Sequence, residues 1–260
     1  MSGGSEEILH VADIYHQFLD QDDHPLPVLN GITFSALAGE FLTIIGPSGC
    51  GKSTLLRILG GLLEPTSGEV RFAGNRLRGP RNDVGFLFQQ SNLMPWRNVI
   101  GNVILPLQIR GVPKEEARAK SMDLIRQVGL EGFEKSYPSQ LSGGMKQRVA
   151  LARVLVQKPK MLLLDEPFAS LDAMTRERLN MELLRLWRHY GQTVVMVTHS
   201  ITEAVMLADR VLILSERPAK VLREVPIGLP RPRGFDVIET PEFLAYEREI
   251  RNAVGLLPTR

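Results

Sequence analysis

Between a short β-favouring run, Phe41–Ile45, and a helical run over residues 54–59, the chain reads Gly46-Pro47-Ser48-Gly49-Cys50-Gly51-Lys52-Ser53-Thr54. No other stretch limits the fold so strongly. A strand that turns into a helix through three glycines brings several backbone N–H groups to one point, and the helix N-terminus adds positive potential there. That is a phosphate cradle. Lys52 is placed to reach the β and γ phosphates of a nucleoside triphosphate, Ser53 to ligate Mg2+ through its hydroxyl, and Thr54 to give a further phosphate hydrogen bond. A glycine turn that merely happens to precede a helix is the plain alternative, and the complete match in this strand–helix setting argues against it. Cys50 fills space in the loop.

Four further runs, residues 84–88, 161–164, 194–197 and 211–214, are short and continuously apolar, the pattern of strands covered on both faces. Helical segments alternate with them. In residues 175–190, Leu179, Leu183, Leu186, Trp187 and Tyr190 fall on one face, and Gly191 ends the helix. Such alternation predicts an α/β fold around a mainly parallel sheet. The composition agrees, because 43% of residues are hydrophobic but only 6% aromatic, which suits an aliphatic core better than an aromatic-rich β-sandwich. From about Ser91 to Pro159, helical patterns such as residues 114–128 follow one another without a strong strand, so the stretch reads as a helical insertion. Beyond Ser215 the chain is proline-rich and basic before turning helical over residues 242–254, and it reads as an appendage outside the core.

The phosphate loop alone leaves kinases, GTPases and motor ATPases open. Residues 161–164, however, deliver Asp165 and Glu166 at the C-terminal end of a strand, where α/β sheets place ligands. An isolated Asp-Glu pair there is ordinarily two solvated charges. In a chain that also carries a phosphate loop, Asp165 reads as a holder of Mg2+, directly or through water, and Glu166 as the general base that polarises the attacking water. Leu141-Ser142-Gly143-Gly144-Met145-Lys146-Gln147 opens a second helical run. Read plainly, Ser142 is an N-cap and the glycines a loop. Read chemically, Ser142, Gly143 and Gly144 offer exposed N–H groups, a hydroxyl and a helix dipole, a second anion site. Two phosphate-binding helix starts in one chain suggest a composite site, in which each of two copies completes the other's.

The phosphate loop, the run from Leu141 through Arg148, and Leu162-Leu163-Leu164-Asp165-Glu166-Pro167 together resemble the ATP-binding subunits of ABC transporters, and the likeness spans nearly the whole chain. It implies a P-loop NTPase core (residues 1–90 and 160–217) with a mainly parallel sheet and an N-terminal antiparallel β portion. It further implies an inserted α-helical subdomain with the signature motif (91–159) and a C-terminal extension (218–260). ATP and Mg2+ are the implied cofactors, sandwiched between the two subunits of a homodimer, and from the place of Cys50 in the loop thiol alkylation is then expected to slow hydrolysis while bound ATP protects. By the same resemblance Gln89 matches the Q-loop glutamine that senses metal and nucleotide, and Asp172, in Ser170-Leu171-Asp172, matches the D-loop along the dimer interface. His199 matches the switch histidine that reaches the γ-phosphate, although a histidine beside a capping box, Ser200-Ile201-Thr202-Glu203, is ordinarily structural. Phe18 fits the register of the family's adenine-stacking aromatic, and Tyr15 is the runner-up because residues 19–27 depart from the usual spacing.

Finer details, among them Tyr137-Pro138-Ser139-Gln140 and Ser215-Glu216-Arg217-Pro218, resemble the nitrate, sulfonate and taurine import group. Ser170 and Ser200 stand where that group usually has alanine and aspartate. The likeness implies import of a small anion through separate integral membrane permease subunits, served by a periplasmic or extracellular solute-binding protein. The ATPase would then be peripheral, on the cytoplasmic face. A non-transport ABC ATPase, or an importer ATPase for another small solute such as a pyrimidine precursor, is the alternative. Residues 92–106, with Met94, Pro95 and Trp96, correspond to the surface where the family seats a helix of the membrane subunit. Net charge is +2, from 31 basic and 29 acidic residues, so no global field draws the chain onto nucleic acid, and no nucleic-acid partner is expected. The single cysteine precludes an intrachain disulfide and points to a reducing compartment. Residues 1–7 lack the basic stretch and apolar core of a secretory signal, and no apolar run approaches the roughly 18 to 20 residues needed to span hydrocarbon.

Overall fold

The structure is a computed structural model that describes residues 6–255. The first five residues of the N-terminal reading and the last five of the C-terminal one lie outside that range. In chain order, β1 (Glu7–Leu19), β2 (Pro25–Leu37), β3 (Phe41–Ile45), α1 (Lys52–Leu59), β4 (Ser67–Phe72) and β5 (Asn75–Arg76) come first. Next are β6 (Val84–Leu87), α2 (Val99–Val103), α3 (Leu105–Ile109), α4 (Lys114–Gln127), α5 (Gly143–Leu155), β7 (Met161–Asp165) and α6 (Ala173–Tyr190). Then follow β8 (Thr193–Val197), α7 (Ile201–Leu207), β9 (Arg210–Leu214), β10 (Val221–Pro226) and α8 (Pro241–Ala253). The described residues fall into two compact units, 6–81 with 190–255, and 82–189.

In the first unit β3 has two parallel neighbours, β8 on one side and β9 on the other, and β10 adds antiparallel to β9. Every residue of β3 and β8 is buried, as expected of continuously apolar strands covered on both faces. The N-terminal strands make a separate antiparallel sheet in the order β2-β1-β4-β5. Its register shifts between Val11 and Ile14, where Asp13 takes a left-handed φ of 49°. Helix α1 begins at Lys52, two residues before the apolar pattern does, because the turn is completed at Gly51, whose φ is 118°.

In the second unit β6 and β7 pair in parallel, from Val84 opposite Met161 to Leu87 opposite Leu164. Helix α5 lies so close to this pair that a Cβ at Gly85 would come within 2.4 Å of Val154 Cγ1. On α6 the expected residues Leu179, Leu183, Leu186 and Trp187 are buried and Tyr190 partly so, and Gly191 (φ 64°) follows the last turn.

The tail beyond Ser215 is part of the core rather than an appendage. β10 extends the sheet, the Ala219 N–H donates to the Val28 carbonyl (2.8 Å), and Phe243 and Ile250 of α8 are fully buried. Arg233 accounts for much of this. Only 3% exposed, its guanidinium donates to the carbonyls of Val205 (2.9 Å), Met206 (3.3 Å) and Ala208 (2.6 Å) at the C-terminal end of α7. It also reaches Ile227 and Leu229. The last carbonyls of a helix lack intrahelical partners, and a cation there opposes the negative end of the dipole. Arg231 adds bonds to the Leu207 carbonyl and to Asp209. Burial, and then the neighbouring Arg231, lower the Arg233 pKa to about 10, so it stays charged at neutral pH. Arg233→Met keeps the stem but strands these carbonyls, and it is expected to cost about 2–4 kcal/mol in urea unfolding. An unchanged midpoint would show that the carbonyls find other donors.

Candidate functional site

The turn from β3 into α1 is packed from two sides. A Cβ at Gly46 would lie 3.1 Å from both Cβ and O of Leu214 on β9, and one at Gly51 would lie 2.7 Å from Val28 Cγ1 on β2. Gly49 (φ 75°) and Gly51 also hold left-handed angles that side chains resist. The first turn of α1 has no side-chain cap, so its N–H groups are the donors that an anion would satisfy. Lys52 is 6% exposed and curls back across the loop, its Nζ donating to the carbonyls of Gly46 and Pro47 at 2.9 Å each. Ser48 and Gly49 are exposed, while Pro47, Ser53 and Thr54 are half-buried.

Cys50 is packed inside the loop, 1% exposed. Its thiol is buried, and burial pushes its pKa up, with the Lys52 charge only partly opposing. A buried, protonated thiol is a poor nucleophile. The expected slowing of hydrolysis by alkylation therefore requires the loop to open first. Near neutral pH, iodoacetamide is expected to label the native protein far more slowly than the urea-unfolded chain; equal rates would contradict this placement.

Because β8 runs parallel beside β3, with Ile44 opposite Val197, the segment Thr198–Ser200 leaves the sheet next to the phosphate loop. His199 is exposed on this turn. The turn is held by Thr198, whose Oγ1 accepts from the Ser200 N–H (3.0 Å) and donates to the Glu203 carboxylate (2.5 Å). Ser200 Oγ in turn accepts from the Glu203 N–H (3.2 Å), so the anticipated box runs through a residue that the sequence did not single out. At the far end of β1, Phe18 is exposed and its ring meets the buried His16 edge-on at 4.7 Å. Burial lowers the His16 pKa, which favours a neutral ring. Tyr15 is equally open but engaged elsewhere, its hydroxyl lying 3.0 Å from the Cβ position of Gly31.

In the second unit the same logic repeats. β6 and β7 are parallel neighbours, so Gln89 and the pair Asp165 and Glu166 leave the C-terminal ends of adjacent strands. Asp165 is buried, and Gln89 is exposed. Glu166 holds φ at 43°, a left-handed angle that costs a non-glycine residue on the order of 1 kcal/mol and tends to be kept at functional positions. The following Pro167 disfavours the right-handed alternative.

Ser142 is the N-cap of α5, its hydroxyl accepting from the Met145 N–H at 3.3 Å. Gly143 and Gly144 are tight against α6 and the segment before it, since added Cβ atoms would lie 3.0 Å from Leu171 and 2.8 Å from Thr175. Asp172 caps α6, accepting from the Thr175 N–H at 2.9 Å, and that bond lowers its pKa. Sequence reasoning missed Gln147, whose amide donates to the Gln89 and Pro167 carbonyls (2.8 and 2.6 Å). It also missed Arg153, which donates to the carbonyls of Ser91 and Asn92.

A glycine turn from parallel strand to helix with a buried lysine, on this sheet, defines a P-loop NTPase. Residues 29–169 match the family model described as ABC transporter. The chain is 51% identical to an ABC transporter ATP-binding protein of Methanocaldococcus jannaschii, over 86% of this chain and 83% of the relative. It is 41% identical to the taurine import ATP-binding protein TauB of Escherichia coli O157:H7, over 94% and 97%. Among solved structures it resembles the dimeric ATP-binding cassette MJ0796 in a post-hydrolysis state bound to ADP and Pi. There the TM-score is 0.75 at 34% identity, covering 88% of this chain and 100% of that one. It also resembles cbiO1 of Clostridium perfringens, part of the transporter complex cbiONQ, with a TM-score of 0.77 at 26% identity over 96% and 97%. The chain belongs to the ABC transporter family, as its ATP-binding, ATP-hydrolysing subunit. Among the described residues no helix is long and apolar enough to cross a membrane.

Proposed function

We propose that the chain powers import of a small anion of the taurine, sulfonate or nitrate kind, working as a homodimer that docks from the cytoplasmic face onto separate permease subunits. A solute-binding protein would deliver the cargo. The observation that carries the ATPase half of this reading is the uncapped start of α1 behind Gly46 and Gly51, with Lys52 drawn over it. The relation to TauB supports the choice of cargo.

In this reading the N–H groups from Gly49 through Thr54 and the Lys52 ammonium hold the β and γ phosphates, and Phe18 stacks on the adenine. Ser53, Asp165 and Gln89 are hard oxygen donors of the kind that Mg2+ prefers, and the ion would neutralise phosphate charge. Glu166 polarises the attacking water, and His199 stabilises charge on the γ-phosphate. Ser142, Gly143 and Gly144 of one copy complete the nucleotide site of the other, with Asp172 along the same interface. The division into core (1–90, 160–217) and signature-bearing subdomain (91–159) follows these roles.

Glu166→Gln is expected to keep ATP binding, trap an ATP-bound dimer and slow turnover by about 10²–10⁴-fold. Hydrolysis at the unmodified rate would remove Glu166 as the base.

Docking is assigned to the loop around Trp96, which is 72% exposed although its backbone is firmly held. The buried Asn102 accepts from the Met94 N–H (2.8 Å) and donates to the carbonyls of Met94, Arg97 and Asn98. A large aromatic ring on a fixed loop suits a partner's pocket. Trp96→Ala should leave ATP hydrolysis by the isolated subunit intact while abolishing co-purification with the permease; retained co-purification with coupled transport would place docking elsewhere.

A further inference from the structure

Gln147 lies one turn into α5 and is only 3% exposed. Its Nε2 donates to the carbonyl of Gln89 at 2.8 Å and to the carbonyl of Pro167 at 2.6 Å. The two acceptors fix which way the amide points, since only its NH2 end can donate to carbonyls. They also lie at the two places that matter most in this unit. One belongs to Gln89 itself, and the other to the residue that follows Glu166 and its left-handed backbone.

The opposite end of the same amide is unpaired. Gln147 Oε1 is buried without a hydrogen-bond partner. A buried polar atom left in that state opposes folding, and the two bonds made by Nε2 offset that cost by satisfying the Gln89 and Pro167 carbonyls. The glutamine is therefore explained by those two bonds rather than by apolar packing. What it does provide is a bond from α5 to two loops that approach it from the ends of β6 and β7.

The N-terminal end of α5 is the Ser142–Gly144 segment, and its glycines are pressed on Leu171 and Thr175. A shift of that helix start on meeting a phosphate would thus pass along one rigid turn to Gln147, and from there to Pro167 and Gln89. Under the composite-site reading above, Ser142 serves the partner copy's nucleotide, whereas Glu166 and Gln89 serve the chain's own. We propose that Gln147 is a positioning residue that links the two nucleotide sites: contact at Ser142 sets the carbonyls of Pro167 and Gln89, and with them the Glu166 carboxylate and the Gln89 side chain. The proposal rests on that reading.

The test uses the full chain and ATP-dependence of the steady-state rate. The unmodified protein should show a Hill coefficient approaching 2, the number of coupled sites. Gln147→Met keeps length and removes the donor; Gln147→Glu keeps shape and leaves at most one donor, on the protonated acid, for the two carbonyls. Both should bind ATP with unaltered affinity, lose on the order of tenfold to a hundredfold in kcat through misplacement of the catalytic groups, and bring the Hill coefficient toward 1. A role confined to packing would move the melting temperature and leave the Hill coefficient where it was. In a Ser142→Ala background, Gln147→Met should add little further loss, because the signal it relays is already gone. Should the methionine variant fail to fold, Gln147→Asn, which keeps the amide but shortens its reach, carries the same expectation. An unchanged Hill coefficient, or losses that multiply in the double variant, would overturn the proposal. A Hill coefficient of 1 in the unmodified protein would fault the two-copy reading itself, and is told apart because it appears before any substitution.

Discussion

The turn from β3 into α1 exists in this form because β9 and β2 press on it where Gly46 and Gly51 have no side chains. A Cβ at either position would press on Leu214 or Val28, and with it on an interior strand of the sheet or on the hairpin to which Val28 belongs. Confinement keeps the helix start free of side-chain caps and draws Lys52 across the loop onto two carbonyls. The same parallel pairing that buries β3 brings the end of β8, and so His199, alongside. Phosphate chemistry is thus a consequence of strand order before it is a property of any one side chain.

The second unit carries its strain in the open. Glu166 is held at a positive φ between a fully buried strand and Pro167, so the path of its backbone out of the strand is fixed. The Gln147 bridge then ties that backbone to α5, and glycines at the start of α5 let it touch α6 without a gap. In the proposed role of Glu166 as general base, such support would matter, since small errors of position cost much in rate.

Much of this could be read from residue order, for reasons particular to each element. β3, β7, β8 and β9 are buried on both faces and so appear as unbroken apolar runs. α6 declares itself by its period and its terminal glycine. The phosphate loop and the Asp165 and Glu166 pair are local, and local motifs survive without coordinates. β1 was legible only through family likeness, because its register shifts near Asp13 and His16 break the alternation that would mark a strand. The C-terminal tail was misread because charge and proline suggest solvent, whereas Arg231 and Arg233 face the unpaired carbonyls of α7. Gln147 stood within the Leu141–Gln147 run with no role of its own legible. Its partners are main-chain atoms from distant loops, and main-chain atoms look alike in every sequence.

We propose that each nucleotide is gripped by two copies of the chain, and the rate of ATP hydrolysis per chain, followed as protein concentration is varied with the association state read by sedimentation under the same conditions, tests this. The rate per chain is expected to rise with the fraction of dimer and to approach zero where only monomer is present. A monomer that hydrolyses ATP at the full rate would contradict it.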